Sequence, residues 1–169
     1  MKNKGFTFIE IIVVLGIIGI ILAASYPSIL NVLEARALDS SARDLLTTLQ
    51  AARYIAVNDK VNCRVHFFQE NNQWRYLVEI QQPDLTWQPA PKFIKQTLPP
   101  KFNPQVLLPA SDTSIVFSPI GLIANYNFTT PQSFQIILQS AKLKNLAQDD
   151  KRIITIYAGG SIGYTKAKS

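Results

Sequence analysis

The apolar segment near the N-terminus constrains this chain more than any other feature. From Ile11 to Ala24 no residue is charged. As a helix rising about 1.5 Å per residue, Phe6 to Ala24 spans about 28 Å, enough to cross a bilayer core. Lys2 and Lys4 precede the run and no basic residue follows closely, so the N-terminus is expected in the cytoplasm. An ordinary secretory signal is one reading, with Ala23-Ala24-Ser25 as its small-residue cleavage site. Against it, the run is long for a signal and Glu10 lies within its first third. An ionisable group there costs roughly 2–3 kcal/mol on insertion scales, less near an end. A secretory signal has no use for that penalty, whereas a functional pairing of the charge does.

Gly5-Phe6-Thr7-Phe8-Ile9-Glu10 resembles the prepilin motif of type IV pilins and type II secretion pseudopilins. The resemblance implies cleavage between Gly5 and Phe6 by prepilin peptidase on the cytoplasmic face, followed by N-methylation of Phe6. Glu10 then becomes the fifth residue of the mature chain, the position of that family's assembly glutamate. The physics agrees. Cleavage creates an α-amino group with a pKa near 8, charged at neutral pH. In a low-dielectric filament core, the Glu10 of a neighbouring subunit is its natural partner, since each charge is tolerable there only when paired. Gly16 and Gly19 either let stems approach closely or reflect the frequency of glycine in membrane helices. Pro27 marks either a helix kink or a membrane exit; in the family, a proline at about this point bends or locally melts the stem.

From Ser28 to Asn58 the pattern is helical. Leu38, Ala42, Leu45, Leu49, Ala52 and Ala56 recur at steps of four and three and form one apolar stripe, expected to lie against a sheet. A coiled coil is the rival reading, but the stripe is short and alanine-rich. Asn58-Asp59-Lys60 ends the helix, and short strand patterns follow. Val61–Phe68 and Trp74–Ile80 pair as a hairpin around Asn71-Asn72-Gln73, and Leu85–Gln88 is a short piece. Pro89–Pro109 holds only edge strands and loops, because proline cannot donate to a ladder. Ser114–Ser118, Ser133–Gln139, Arg152–Tyr157 and Ile162–Thr165 complete the strands, with a polar excursion over Lys142–Asp150. The expected organisation is a leader over 1–5, a transmembrane stem over 6–27, a second stem half over 28–58 and a β-rich domain over 59–169. The fold class is α+β: a long N-terminal helix packed on a small antiparallel β-sandwich of two sheets, with six to eight short strands.

The chain offers little material for catalysis. Cys63 is the single cysteine and His66 the single histidine. Their odd spacing on a strand puts them on opposite faces, so Cys63 is expected to be a buried small hydrophobe and His66 a surface or edge residue. Asp149-Asp150 is an acidic pair with no second acidic cluster to complete a metal site. No glycine-rich phosphate loop is present. Neither an enzyme nor a metal or cofactor is expected.

Three segments narrow the resemblance to the GspH/FimT pseudopilin family. Ser114-Ile115-Val116-Phe117-Ser118-Pro119-Ile120-Gly121 resembles its strand-turn motif. Arg152-Ile153-Ile154-Thr155-Ile156 with the following glycine turn resembles its closing hairpin, and Leu49–Val57 its helix end. The implied protein is a minor pseudopilin or minor pilin, a structural subunit of a type II secretion pseudopilus or a type IV pilus. It would sit single-pass in the inner membrane with its C-terminal domain in the periplasm, then join a filament with other pilins. Pro27 tilts the choice slightly toward pilus-type members. The net charge of +6 suits an anionic partner such as nucleic acid or a membrane surface. Some family members bind DNA in natural transformation through a basic C-terminal region. The alternative function is therefore a DNA-binding minor pilin using Lys142, Lys144, Lys151, Arg152, Lys166 and Lys168. The family's arginine-rich glycine motif is replaced here by lysines in Gly160–Lys168.

Overall fold

Fifty-two residues, Phe8–Asp59, form a single α-helix, α1, in the computed structural model, which describes residues 7–109, 113–126 and 134–169. The two halves of α1 differ completely in surroundings. From Phe8 to Leu33 no described residue is buried, whereas Leu38, Ala42, Leu45, Leu49, Ala52 and Ala56 are all fully buried. The 3.6-residue period of that stripe keeps one face of the second half turned inward over five turns. The helix stops where Lys60 adopts a left-handed conformation (φ 55°) and its N–H caps the carbonyl of Ala56.

Among the described residues nine strands follow: β1 (Cys63–Glu70), β2 (Gln73–Gln81), β3 (Trp87–Pro89), β4 (Gln96–Thr97), β5 (Gln105–Leu107), β6 (Ser114–Phe117), β7 (Phe134–Gln139), β8 (Lys151–Ile156) and β9 (Ile162–Ala167). They form two antiparallel sheets, β3-β2-β1-β6 with β4 also on β2, and β5-β7-β8-β9. The β1–β2 hairpin closes through Asn71 and Asn72, both at positive φ (53° and 59°), with Glu70 opposite Gln73. Two left-handed residues in a two-residue loop match the twist of the flanking strands, and asparagine tolerates that region well. In β1, Cys63, Val65 and Phe67 face the interior; in β7, so do Phe134, Ile136 and Leu138. The inward faces of both sheets and the stripe of α1 share one core.

The expected strands and hairpin are present, and α1 ends at the expected turn. Three expectations are refined. The strand count exceeds six to eight because β3, β4 and β5 span only two or three residues each, too short for alternation to register. The stretch Lys142–Asp150 is not wholly irregular: Ala141–Asn145 is a short helix, α2, capped by Ser140 and plugged into the core by Leu143. Of the two readings of His66, surface or edge, the first holds: it is half-exposed on a face of β1, an interior strand between β2 and β6.

Candidate assembly surface and stem-to-domain junction

The free half of α1 begins with a reciprocal cap. The Glu10 N–H donates to Thr7 Oγ1 at 3.3 Å, and the Thr7 N–H donates to Glu10 Oε2 at 3.4 Å. This is a capping box, in which an acidic side chain in the first turn also lies at the positive end of the helix dipole. The threonine-x-x-glutamate spacing is the sequence signal for this cap, and it is independent of any pairing of Glu10 between subunits. Beyond the cap, Phe8, Ile9, Leu15, Ile20, Ile21 and Leu22 are among the most exposed apolar residues. A Cβ on Gly16 or Gly19 would meet nothing within 4 Å, so both present bare backbone outward. Helical structure continues without a break across position 27, although Pro27 has no N–H to offer the carbonyl of residue 23. Gly5 and Phe6 lie outside the described residues.

At its lower end the buried half of α1 is joined to the second sheet by a charged cluster. Arg152 on β8 has a side chain only 3% exposed. Its Nε donates to Asp39 Oδ1, and one terminal nitrogen donates to the carbonyls of Asp149 and Lys151, both at 2.9 Å. Asp39 also accepts from Tyr164 Oη at 2.9 Å and Lys166 Nζ at 2.7 Å, both on β9. Burial alone would raise the Asp39 carboxyl, but the hydrogen bonds from Lys166, Arg152 and Tyr164 overcome it and hold the group well below the usual carboxylate range. The Arg43 guanidinium lies 5.5 Å from the centre of the Tyr164 ring and covers the cluster. Arg152 is thereby withdrawn from the candidate DNA-binding set: a guanidinium enclosed between Asp39 and the carbonyls of Asp149 and Lys151 is not presented to a phosphate. Lys166 remains accessible but is committed to the same carboxylate.

At its upper end α1 is fastened by Arg53, whose Nε donates to the Gly121 carbonyl at 3.0 Å. Gly121 (φ 79°) and Gly160 (φ 74°) belong to two turns that touch at this point. A Cβ on Gly160 would fall 1.8 Å from the Gly121 oxygen. Glycine is required here for both the left-handed backbone and the close approach. Periodicity could not single out Asp39 or Arg53 as partners, because each lies off the apolar stripe like any solvent-facing charge.

The other singled-out residues separate. Lys142 and Lys144 are exposed on α2, Lys151 is half-buried at the start of β8, and Lys168 is exposed beyond β9. Asp150 is enclosed and accepts from Gln139 Nε2 (2.7 Å), the Ser169 N–H (2.8 Å) and Ser169 Oγ (2.7 Å). Burial opposes its ionisation, yet these donors bring its pKa down to about 2. Asp149 points to solvent, so the two acids do not act together. Among the described residues no group of three or more His, Cys, Asp or Glu side chains could hold a metal. Cys63 is fully enclosed, and burial, with a smaller effect of Asp59, pushes its thiol up to about 12. That excludes a thiolate nucleophile at neutral pH.

A capped, apolar, unpacked helix half mounted on a two-sheet domain defines a pilin-like subunit. Residues 1–26 match the family model of the prokaryotic N-terminal methylation motif, and residues 41–160 match that of the type II transport protein GspH. The chain belongs to the GspH family of minor pseudopilins and pilins, whose members are structural subunits and not enzymes. Among solved structures, it is similar to the type IV minor pilin FimU of Pseudomonas aeruginosa strain PAO1 in two crystal forms. One has a TM-score of 0.54 at 16% identity, covering 78% of this chain and 90% of that chain. The other has a TM-score of 0.49 at 18% identity, covering 75% and 91%. At these identities the likeness concerns the fold. No curated protein matches the chain.

Proposed function

We propose that this chain is a minor filament subunit that waits in the inner membrane, is cut between Gly5 and Phe6, is methylated on Phe6, and joins a pseudopilus or type IV pilus through its stem. The observation that carries the reading is the division of α1. A continuous helix has one half buried in its own domain and one half, Phe8–Leu33, with no buried described residue. Such an apolar surface in water would aggregate; it requires lipid before assembly and neighbouring stems after it. Glu10 then has two successive partners. In the precursor the Thr7 N–H and the helix N-terminus share its charge. In the filament the new α-amino group of a neighbouring Phe6 takes over, which fixes the register between subunits. With residues 6–27 in the bilayer and Lys2 and Lys4 on the cytoplasmic side, the domain of residues 59–169 lies in the periplasm. Two short connections, Asp39 to Arg152 and Arg53 to Gly121, tie stem to domain, so a displacement of the stem is passed to the sheets as a rigid body.

Intact-mass measurement of the membrane-extracted chain tests this. The expected result is loss of Met1 to Gly5 and gain of one methyl group. An intact leader, or a cut near Ser25, refutes the reading. No observation favours DNA uptake specifically, since two of the six basic candidates are engaged within the domain: Arg152 is buried and Lys166 is bound to Asp39.

A further inference from the structure

We propose that the foot of the domain, where α1 enters it, is a docking surface for the anionic phospholipid headgroups of the leaflet from which the stem emerges. This rests on the reading of residues 6–27 as membrane-spanning. Glu34 marks the level of entry. Its Oε1 accepts from Ser140 Oγ at 3.0 Å, and its Oε2 lies 3.5 Å from Lys101 Nζ. Ser140 is the N-cap of α2, whose Leu143 is fully buried, so α2 is pinned at this level with Lys142 and Lys144 exposed. Lys151 pairs with Gln139, immediately before Ser140. β9 descends along α1. Ile162 shares a groove with Gln50 and Arg53, and Lys166 reaches Asp39. Ser169 is held by Asp150 and Gln139 at the same level as Ser140, which brings Lys168 to the foot.

Five lysines, Lys101, Lys142, Lys144, Lys151 and Lys168, therefore lie near the level at which the stem leaves the domain. The acids facing them are Glu34, Asp149 and Asp150. All three carboxylates keep their charge, Glu34 against Lys101 and Asp150 among neutral donors, and five ammonium groups against three carboxylates leave the foot basic. Helix geometry sets its depth. Phe8 to Glu34 is about 39 Å at 1.5 Å per residue. A bilayer core is about 30 Å thick, and about 40–45 Å with its headgroups. A stem starting at the inner boundary thus places Glu34 in the outer headgroup layer. Exposed apolar residues lie on the stem before that level, Tyr26, Ile29 and Leu33, and Leu146 follows the lysines of α2. Ammonium groups over apolar side chains are the composition that binds an anionic interface. The lysines that suggested a nucleic-acid ligand thus meet phosphate of another origin.

The test is lysine acetylation of the full chain reconstituted in phosphatidylcholine vesicles with and without one third phosphatidylglycerol, read for each lysine by mass spectrometry. Modification of Lys101, Lys142 and Lys144 should slow by about threefold or more in the anionic vesicles and recover at high salt. Lys60 at the far end of α1 and Lys92 beside Asp59 should not change. Equal rates in the two vesicles, or equal slowing at Lys60 and Lys92, overturn the proposal. So does slowing by inorganic phosphate, or by a DNA duplex, added to phosphatidylcholine vesicles alone. Flotation of the same vesicles in alkaline carbonate reads insertion separately. A chain that stays inserted with undiminished lysine reactivity overturns only the docking surface, whereas a chain released by carbonate overturns the membrane-spanning stem and the docking surface with it.

Discussion

The Arg152 guanidinium is almost wholly enclosed, and Asp39 is the carboxylate that makes this tolerable. Removing one member of a buried pair leaves the other charge unpaired, which costs far more than the pair contributes. Asp39→Asn should therefore lower stability by about 3 kcal/mol, read as a fall in the thermal midpoint of the detergent-solubilised full chain. Asp39→Leu with Arg152→Met leaves no buried charge and should recover most of that loss. Lys166→Ala, which removes an exposed partner, should cost about 0.5 kcal/mol. The glycine pair gives a second contrast. Gly160→Ala forces a Cβ into the Gly121 carbonyl at a positive φ, and should cost about 2–4 kcal/mol. Gly159→Ala meets nothing within 4 Å and should stay within about 0.5 kcal/mol of the parent in the same melts. Neither contrast was legible in the sequence. Asp39 and Arg152 are 113 residues apart, and no local pattern distinguishes a charge that will be buried from one that stays in water.

Within α1 the two halves obey different rules, although the helix is continuous. The stripe from Leu38 to Ala56 was fully legible, because one face must be apolar at the helical period to pack on a sheet. The half from Phe8 to Leu33 shows no such stripe: its apolar residues lie all round the helix, the pattern expected where lipid or neighbouring stems surround it. Leu49→Ala should destabilise the folded domain by about 2–5 kcal/mol, visible in thermal melts. Leu15→Ala should leave the melt unchanged and instead reduce recovery of the chain in sheared filaments. If Leu15→Ala shifted the melt as far as Leu49→Ala, the two halves would not be independent. Short elements were the opposite case. α2 and β4 contain too few residues for periodicity, and they exist because Leu143 and the Tyr76–Gln96 pairing anchor them to structure already formed.

For the whole molecule, Asp39 and Asp150, the depressed carboxyls that tie separate elements together, contribute to the acid limit of stability. The pKa values of Asp39 and Asp150 are both lower in the folded chain than the ordinary aspartate value, the second at about 2. A lowered folded value means the unfolded chain binds the proton more readily. The stabilisation from these groups is thus complete above about pH 4 and is lost as pH falls toward their folded values. Melts of the parent should decline through that window, and Asp39→Asn, already destabilised at neutral pH, should decline less steeply. An equal acid slope in both would mean that Asp39 is not the group titrating.

The sequence by itself determined the membrane-seeking stem, the processing motif, the buried stripe, the hairpin at Asn71 and Asn72 and the absence of a catalytic set. Each is a local pattern, and helix period, strand alternation and turn chemistry are encoded within a few neighbouring residues. Only the tertiary structure decided what the charges do. It buried Arg152 against Asp39, set Arg53 over the Gly121 and Gly160 turns, separated Asp149 from Asp150, and brought Lys101 to Glu34 on the stem. Electrostatic partnership depends on distance in space and on exclusion of water, and the chain acquires both only when the two sheets close on the helix.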